Sequence, residues 1–158
     1  MQMDENPFDL LDTEARRLDS FYGRLAGDQW DAPTRCAGWT RKDLLAHMAW
    51  WHDHSARVIE GLRAGRQPYD VNDPANSTDA LNERTHREHL DDPPELTRRA
   101  FDESFNRLLA ALEPVTDEEL FADDRWPWLD GEALVETILW DSSRHYEAHR
   151  EHLEPLSR

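Results

Sequence analysis

The sequence predicts an all-α protein: a four-helix bundle with one longer crossover and a short extra helix. Apolar residues recur at spacings of three and four over four long segments, the pattern of helices that each bury one stripe. Proline and glycine interrupt this pattern between the segments, and no run of alternating β-branched residues marks a strand. A chain of 158 residues is expected to form one domain, here spanning residues 1–158.

The first long helix is predicted at residues 8–26, where apolar side chains keep helical spacing. Gly27 is expected to end it, because glycine commonly follows a helix C-terminus. The loop that follows contains Trp30 and Trp39 and is interrupted by proline and glycine. We therefore expect a short ordered connection before the second helix.

The second long helix is predicted at residues 41–64. Thr40 and Asp43 have the spacing of a capping box, which marks a helix start. Its inner stripe comprises Leu44, His47, Met48, Trp51, Val58, Ile59 and Leu62. An imidazole without a partner would be costly on such an apolar face, so His47 is either a hydrogen-bonded core residue or a ligand.

The second half of the chain is predicted to supply the remaining helices. Residues 65–76 form a connection rich in proline and glycine, and residues 78–90 a short polar helix. A long helix is expected at residues 95–112, after a proline pair. Residues 113–130 are expected to be irregular, and residues 131–153 to form the last long helix.

The last helix carries the main chemical signal. Its inner stripe comprises Leu134, Ile138, Ser142, His145 and His149. Histidines four residues apart on a helix point at a common spot, so His145 and His149 make half of a metal site. With His47 they form three neutral ligands and leave a further coordination position open, as catalytic sites do. Hydrogen bonding of these histidines across the bundle is the alternative.

Ligand type does not select one metal. Imidazole binds zinc, nickel and iron, so zinc is the first expectation and nickel or iron the alternatives. Asp43 and Asp141 each lie one turn before a predicted ligand and are candidates to orient it. The remaining histidines are expected to face solvent: His52, His54, His86, His89 and His152.

Cys36 and the tryptophans carry weaker signals. Cys36 has no histidine or carboxylate beside it in sequence, which favours a small buried residue over a nucleophile. Most of the tryptophans are expected in the core at the ends of the bundle. Trp39, Trp126 and Trp128, on predicted loops, are candidates for the wall of an apolar pocket near the metal.

The acidic composition sets limits on partners. Thirty-four acidic residues against 18 basic ones give a formal net charge of −16, whereas nucleic acids and anionic membranes are bound by clustered cations. We therefore expect a small-molecule substrate and neither a nucleic-acid nor a membrane partner. Cys36 is the single cysteine, and no apolar run has the length of a signal peptide or membrane span, so a cytoplasmic location is expected. The sequence leaves open whether two copies form a homodimer through the outer helix faces.

Two segments resemble a known family. PTRCAGWTRKDLLAHMAWWH, at residues 33–52, resembles the Pro-Thr, Cys, Gly-Trp-Thr and Asp-Leu-Leu-Ala-His pattern of the DinB-like superfamily. It is most similar to the N-terminal domain of mycothiol-dependent maleylpyruvate isomerases. HYEAHREHL, at residues 145–153, is similar to the superfamily's C-terminal His-x-x-x-His. The resemblance implies that His47, His145 and His149 bind a divalent metal inside a four-helix bundle.

The resemblance also implies a reaction class. In such proteins the metal activates the thiol of a low-molecular-weight cofactor, such as mycothiol or bacillithiol, for attack on an electrophile. Maleylpyruvate isomerisation itself is not expected, since the isomerases carry a further C-terminal domain and this chain ends shortly after its histidine helix. The sequence also indicates no cationic cluster for an organic acid, because Arg144 and Arg150 lie off the ligand stripe.

Three functions follow from these observations. The first is a metal-dependent thiol S-transferase, although the sequence leaves open whether the protein is an enzyme at all. The second is a protein that binds or sequesters a toxic small molecule in a tryptophan-lined cavity, since related bundles include self-resistance proteins of the colibactin-resistance type. The third is a bundle that a metal only stabilises. The sequence names neither the metal, the thiol nor the electrophile.

Overall fold

The computed structural model describes residues 6–153 of the chain, and over that range it is helical with no β-strand. The all-α prediction is therefore confirmed. The α-helices are α1 (Pro7–Gly23), α2 (Arg41–Arg63), α3 (Thr78–His89), α4 (Pro94–Leu112), α5 (Asp117–Phe121), α6 (Leu134–Asp141) and α7 (Ser143–Leu153). Short 3-10 turns lie at Gly27–Asp31, Pro74–Asn76 and Pro127–Leu129.

Helices α1, α2 and α4, together with the consecutive pair α6 and α7, form the bundle. Helix α2 packs most extensively against α4, and it also contacts α3, α6 and α7. Helix α1 packs against α7. The short helix α3 lies in the crossover between α2 and α4, as the sequence predicts. None of the described helices is both long enough and apolar enough to cross a membrane.

The helix starts follow from local capping. The side chain of Asn6 accepts a hydrogen bond from the backbone N–H of Phe8 at the start of α1. At the start of α2, the backbone N–H groups of Thr40 and Asp43 each donate to the other residue's side-chain oxygen, which is the predicted capping box. These contacts place the first turn of α2 and thereby fix the phase of its inner face.

The buried side chains form two core clusters along the bundle. One cluster joins the second half of α2 to α4 and α6, and includes Ile59, Leu108, Leu134 and Ile138. The other joins α1 and the first half of α2 to α7, and includes Leu11, Leu44, Met48 and Tyr146. His47 lies on α2 within this second region, between Leu44 and Met48, so the second cluster supports it.

The predicted last helix is not continuous. It begins at Leu134, not near residue 131, and it breaks at Ser142, whose φ of −130° and ψ of −102° are not helical. The hydroxyl of Ser142 donates to the Ile138 carbonyl, and Ser142 and Ser143 are fully buried. A serine hydroxyl that bonds to the carbonyl four residues earlier commonly bends a helix. The two predicted histidines therefore belong to a separate helix, α7.

Candidate metal centre

The three predicted ligands converge. His47 comes from α2, and His145 and His149 come from α7; one ring nitrogen from each lies within 4.8 Å of the other two. The Nε2 atoms of His47 and His145 are 2.8 Å apart. The centroid of the His149 ring is 5.3 Å from that of His47 and 4.6 Å from that of His145. The helical spacing on α7 and the inner stripe of α2 are what bring the rings together.

All three rings are held in the neutral form. Burial, reinforced by the neighbouring His145 and His149, lowers the pKa of His47 to about 2. Burial also lowers the pKa of His149 to about 3, and that of His145 to about 4 against the opposing effect of Asp141. A neutral imidazole offers a lone pair to a metal, whereas an imidazolium does not.

These residues fit a divalent cation. Three neutral imidazoles are a donor set that zinc, nickel and iron accept, and they leave positions for exogenous ligands. The facing Nε2 atoms of His47 and His145 share at most one proton, so at least one of them presents a lone pair at the centre of the cluster. The Nδ1 atom of His145 is buried and makes no well-aligned hydrogen bond within residues 6–153.

Two tryptophans and a further histidine wall the cluster. The ring of Trp39 lies edge-on to His47, with ring centroids 5.1 Å apart. The ring of Trp51 is edge-on to both His47 and His145, and its centroid is 6.4 Å from each of theirs. His86, from α3, stacks on Trp39 with centroids 4.7 Å apart and an interplanar angle of 8°. Trp51 lies one turn after His47, so helical spacing predicts its position, whereas the position of His86 depends on how α3 packs.

Cys36 and His152 lie at the edge of the cluster. One potential ligand atom from each of Cys36, His149 and His152 lies within 4.8 Å of the other two. The Nδ1 atoms of His149 and His152 are 3.0 Å apart. Burial raises the pKa of the Cys36 thiol. The sequence places no histidine beside Cys36, and the fold supplies two of them from α7.

The two carboxylates expected to orient the ligands bind other histidines. Oδ2 of Asp43 is 3.2 Å from Nε2 of His86. Oδ2 of Asp141 is 2.8 Å from Nδ1 of His54 and accepts a hydrogen bond from Ser55. One turn of helix separates each aspartate from its predicted partner, but each carboxylate points towards a neighbouring helix.

The expectation that the other five histidines face solvent is wrong: His52 and His54 are buried, and His86, His89 and His152 are only partly exposed. His52 is fully buried, with Nδ1 3.0 Å from the Ser104 hydroxyl and Nε2 bonded to the Tyr146 hydroxyl. His54 is buried between Asp141 and Tyr69. Each ring has polar partners on other helices, and these offset the cost of burial. Such partners cannot be recognised from one helix alone.

Of the three loop tryptophans expected near the ligands, only Trp39 lies beside the histidine cluster. Trp126 is buried in the α2–α4–α6 core, where its indole N–H donates to the Glu119 carbonyl. The indole N–H of Trp128 donates to the Tyr69 carbonyl, 3.0 Å away. Both side chains therefore anchor the irregular segment before α6, and the aromatic wall of the histidine cluster is made by Trp39 and Trp51.

An all-α bundle with three neutral histidines meeting between two of its helices defines the class: a helical-bundle protein with a candidate metal centre. The chain belongs to the family described as the mycothiol maleylpyruvate isomerase N-terminal domain, which it matches over residues 11–151. This is a DinB-like fold family, so the resemblance that the sequence indicates is confirmed. No curated protein matches the chain in a sequence comparison.

Solved structures with the same fold include three with little sequence similarity. An uncharacterised protein from Escherichia coli UTI89 has a TM-score of 0.80 at 15% identity, covering 94% of this chain and 89% of its own. The colibactin self-resistance protein ClbS, in a complex with dsDNA, has a TM-score of 0.80 at 13% identity, and the match covers 95% of this chain and 92% of ClbS. An uncharacterised Clostridium difficile 630 protein has a TM-score of 0.73 at 16% identity, with 98% and 96% covered.

The exclusion of a nucleic-acid partner does not hold. It rested on the net charge of the chain, and a structural neighbour with this fold is crystallised with dsDNA. Net charge sums over the whole surface, whereas a nucleic acid contacts only one local patch. A formal charge of −16 is therefore not a sufficient reason to exclude that class of partner.

Proposed function

We propose that the protein is a metal-dependent enzyme that transfers a low-molecular-weight thiol to a small electrophile. His47, His145 and His149 would hold one divalent ion. The observation that supports this proposal best is the convergence of three neutral imidazoles from two helices. A divalent ion bound there would favour the thiolate form of a thiol at neutral pH.

The reaction proposed is a substitution at carbon. The thiol sulfur forms a bond to the electrophilic carbon, and the bond from that carbon to a leaving group breaks. The leaving group departs with the bonding electron pair, and the proton of the thiol is released with it, so no oxidant or reductant is needed. Mycothiol and bacillithiol are the thiol class that the family resemblance suggests.

The surrounding residues would prepare the site for this chemistry. Trp39 and Trp51 cover two sides of the histidine rings, and their apolar faces would exclude water and contact an apolar electrophile. The stack of His86 on Trp39, together with the contact between His86 and Asp43, would keep that indole in place. These residues would position the electrophile and keep water away from it, and the three histidines would hold the ion.

A thiol-transfer assay tests the proposal. We expect the purified protein, supplied with zinc, to accelerate conjugation of mycothiol or bacillithiol to monochlorobimane, measured by fluorescence. The double variant His145→Ala/His149→Ala should lose this acceleration, because two of the three ligands are gone. His89→Ala is the matched control, since His89 lies on α3 and belongs to no described cluster of metal-ligating residues. Acceleration that survives in the double variant would contradict the proposal.

Sequestration of a small molecule is the second candidate function. It is favoured by the aromatic walls at Trp39 and Trp51 and by the fold shared with a colibactin self-resistance protein. It predicts that an apolar electrophile quenches tryptophan fluorescence at a saturating 1:1 ratio without being converted, and that quenching persists in the presence of a chelator. Quenching that requires metal and is followed by conjugate formation would favour the enzyme.

A further inference from the structure

A cavity of about 810 Å³ lies between α1, the Gly27–Asp31 turn, the start of α2 and α7. Four arginines line it: Arg17, Arg24, Arg41 and Arg150. The expectation that the chain has no cationic cluster is therefore wrong. Because these arginines lie on or directly beside three different helices, their sequence spacing gives no sign that they meet.

Arg41 is the residue that marks the cavity as a binding site. Its side chain is buried, with the whole residue only 3% exposed, and its guanidinium lies 5.4 Å from the centroid of the Phe21 ring. Nη1 donates to the Gln29 carbonyl at 3.3 Å, but Nε and Nη2 have no hydrogen-bond partner within residues 6–153. Both nitrogens are shielded from solvent, so they reach an anion only when the guanidinium turns into the cavity. Without such a partner, a buried guanidinium with unused donors is costly.

The acidic side chains around the cavity neutralise its arginines only in part. Glu14 and Asp28 are the acidic residues that line it. Glu14 is buried and already holds two of the arginines, Arg17 at 2.9 Å and Arg150. Arg24 and Arg41 have no ion-pair partner in the described part of the chain. The cavity wall is thus locally positive on a molecule whose formal charge is −16.

We propose that this cavity binds a small organic anion, with a carboxylate or phosphate group held by Arg41 and Arg24. Guanidinium groups bind such planar or tetrahedral oxyanions through paired N–H donors. Leu18, Phe21 and Leu25 line the same cavity and would contact the apolar part of the ligand. Its volume lies in the range of sites that hold small molecules, about 300–1,000 Å³.

This anion site is separate from the histidine cluster. None of His47, His145 and His149 lines the cavity, although Tyr146 and Arg150, which do, follow His145 and His149 on α7. The two sites therefore share a helix but face different sides of it. The inference depends on Arg41 and its neighbours alone, and it stands whether or not the proposed thiol transfer is correct.

Calorimetric titration with phenyl phosphate tests the anion site. We expect saturable 1:1 binding to the full-length protein, and no binding of benzyl alcohol or benzylamine, which lack the negative charge. Arg24→Gln and Arg41→Met should each weaken phenyl phosphate binding about tenfold or more, since a hydrogen bond to a charged group contributes about 1.5–3 kcal/mol. Arg24 is exposed, so Arg24→Gln tests the site even if Arg41→Met fails to fold.

Two control variants locate the binding. Arg16 lies on α1 but pairs with Asp12 and does not line the cavity. Arg16→Gln should therefore bind phenyl phosphate like the unmodified protein. The variant His145→Ala/His149→Ala should also bind it unchanged, because the histidines do not line the cavity. The proposal is overturned if no saturable binding occurs at millimolar phenyl phosphate, if Arg24→Gln binds unchanged, or if only the histidine variant loses binding.

Discussion

Histidine has two different roles within this bundle, and the neighbours of each ring distinguish them. His47, His145 and His149 face one another, and their ring nitrogens have no hydroxyl or carboxylate partner among the described residues. His52 and His54, in contrast, have hydroxyl or carboxylate partners on other helices. The first arrangement suits a cation, and the second is complete without one.

The burial of His52 predicts a pH-dependent stability. Burial, with a smaller effect of His145, lowers the pKa of His52 from its usual 6.5 to about 3. Between these two pH values the unfolded chain binds a proton that the folded protein does not. The free energy of unfolding should therefore fall as the pH decreases below 6.5, with His52 contributing up to about 1.4 kcal/mol per pH unit.

Urea unfolding of His52→Gln between pH 7.5 and pH 5 checks this contribution. The glutamine amide can still bond with Ser104 and Tyr146, but it does not titrate, so the variant should lose stability less steeply on acidification. A chelator in both samples keeps metal release out of the comparison. Equal pH slopes for His52→Gln and the unmodified protein would contradict the role assigned to this residue.

At the scale of elements, the single lysine of the chain links the start of α2 to the end of α3 and to the turn after it. Lys42 lies in the first turn of α2 and is buried. Its Nζ atom donates to the carbonyls of His89, Leu90 and Asp92, at 3.3, 2.6 and 2.8 Å. These carbonyls lie where α3 ends and the turn to α4 begins, where a helix leaves acceptors without partners. Lys42 therefore caps α3 and holds the turn on α2.

Lys42→Met is expected to destabilise the protein by about 2–3 kcal/mol, since it removes the charged donor that three backbone carbonyls share. Urea unfolding measures the loss, and hydrogen exchange should be faster around residues 89–92. Arg66→Met is the matched control, because Arg66 is exposed and its replacement removes a charge without uncovering acceptors. A loss for Lys42→Met no larger than that for Arg66→Met would show that the cap is unimportant.

The helices illustrate what can be predicted locally and what cannot. The capping box of Thr40 and Asp43 and the apolar spacing of α2 predict its bounds to within one residue. The break at Ser142 has no counterpart in the sequence pattern, because the residues around it keep helical spacing on both sides. His145 and His149 nevertheless share one face, as their spacing predicts, because both lie within α7.

At the scale of the whole molecule, what a sequence hides is the convergence of distant residues. His47 and the α7 pair can be matched because each lies on an apolar stripe that must face the core. Arg24, Arg41 and Arg150 lie on no such stripe, and their meeting depends on how α1, α2 and α7 pack. For the same reason, a total charge of −16 was a poor guide to the local surface.

The metal content of the purified protein tests the central claim most directly. Mass spectrometry of the untagged protein, before and after incubation with zinc and dialysis, gives the number of divalent ions per chain. We expect about one ion per chain, lost in His145→Ala/His149→Ala and retained in His89→Ala, because three imidazoles hold the ion. Protein that stays free of metal after incubation, or a double variant that binds as much as the unmodified chain, would contradict the claim.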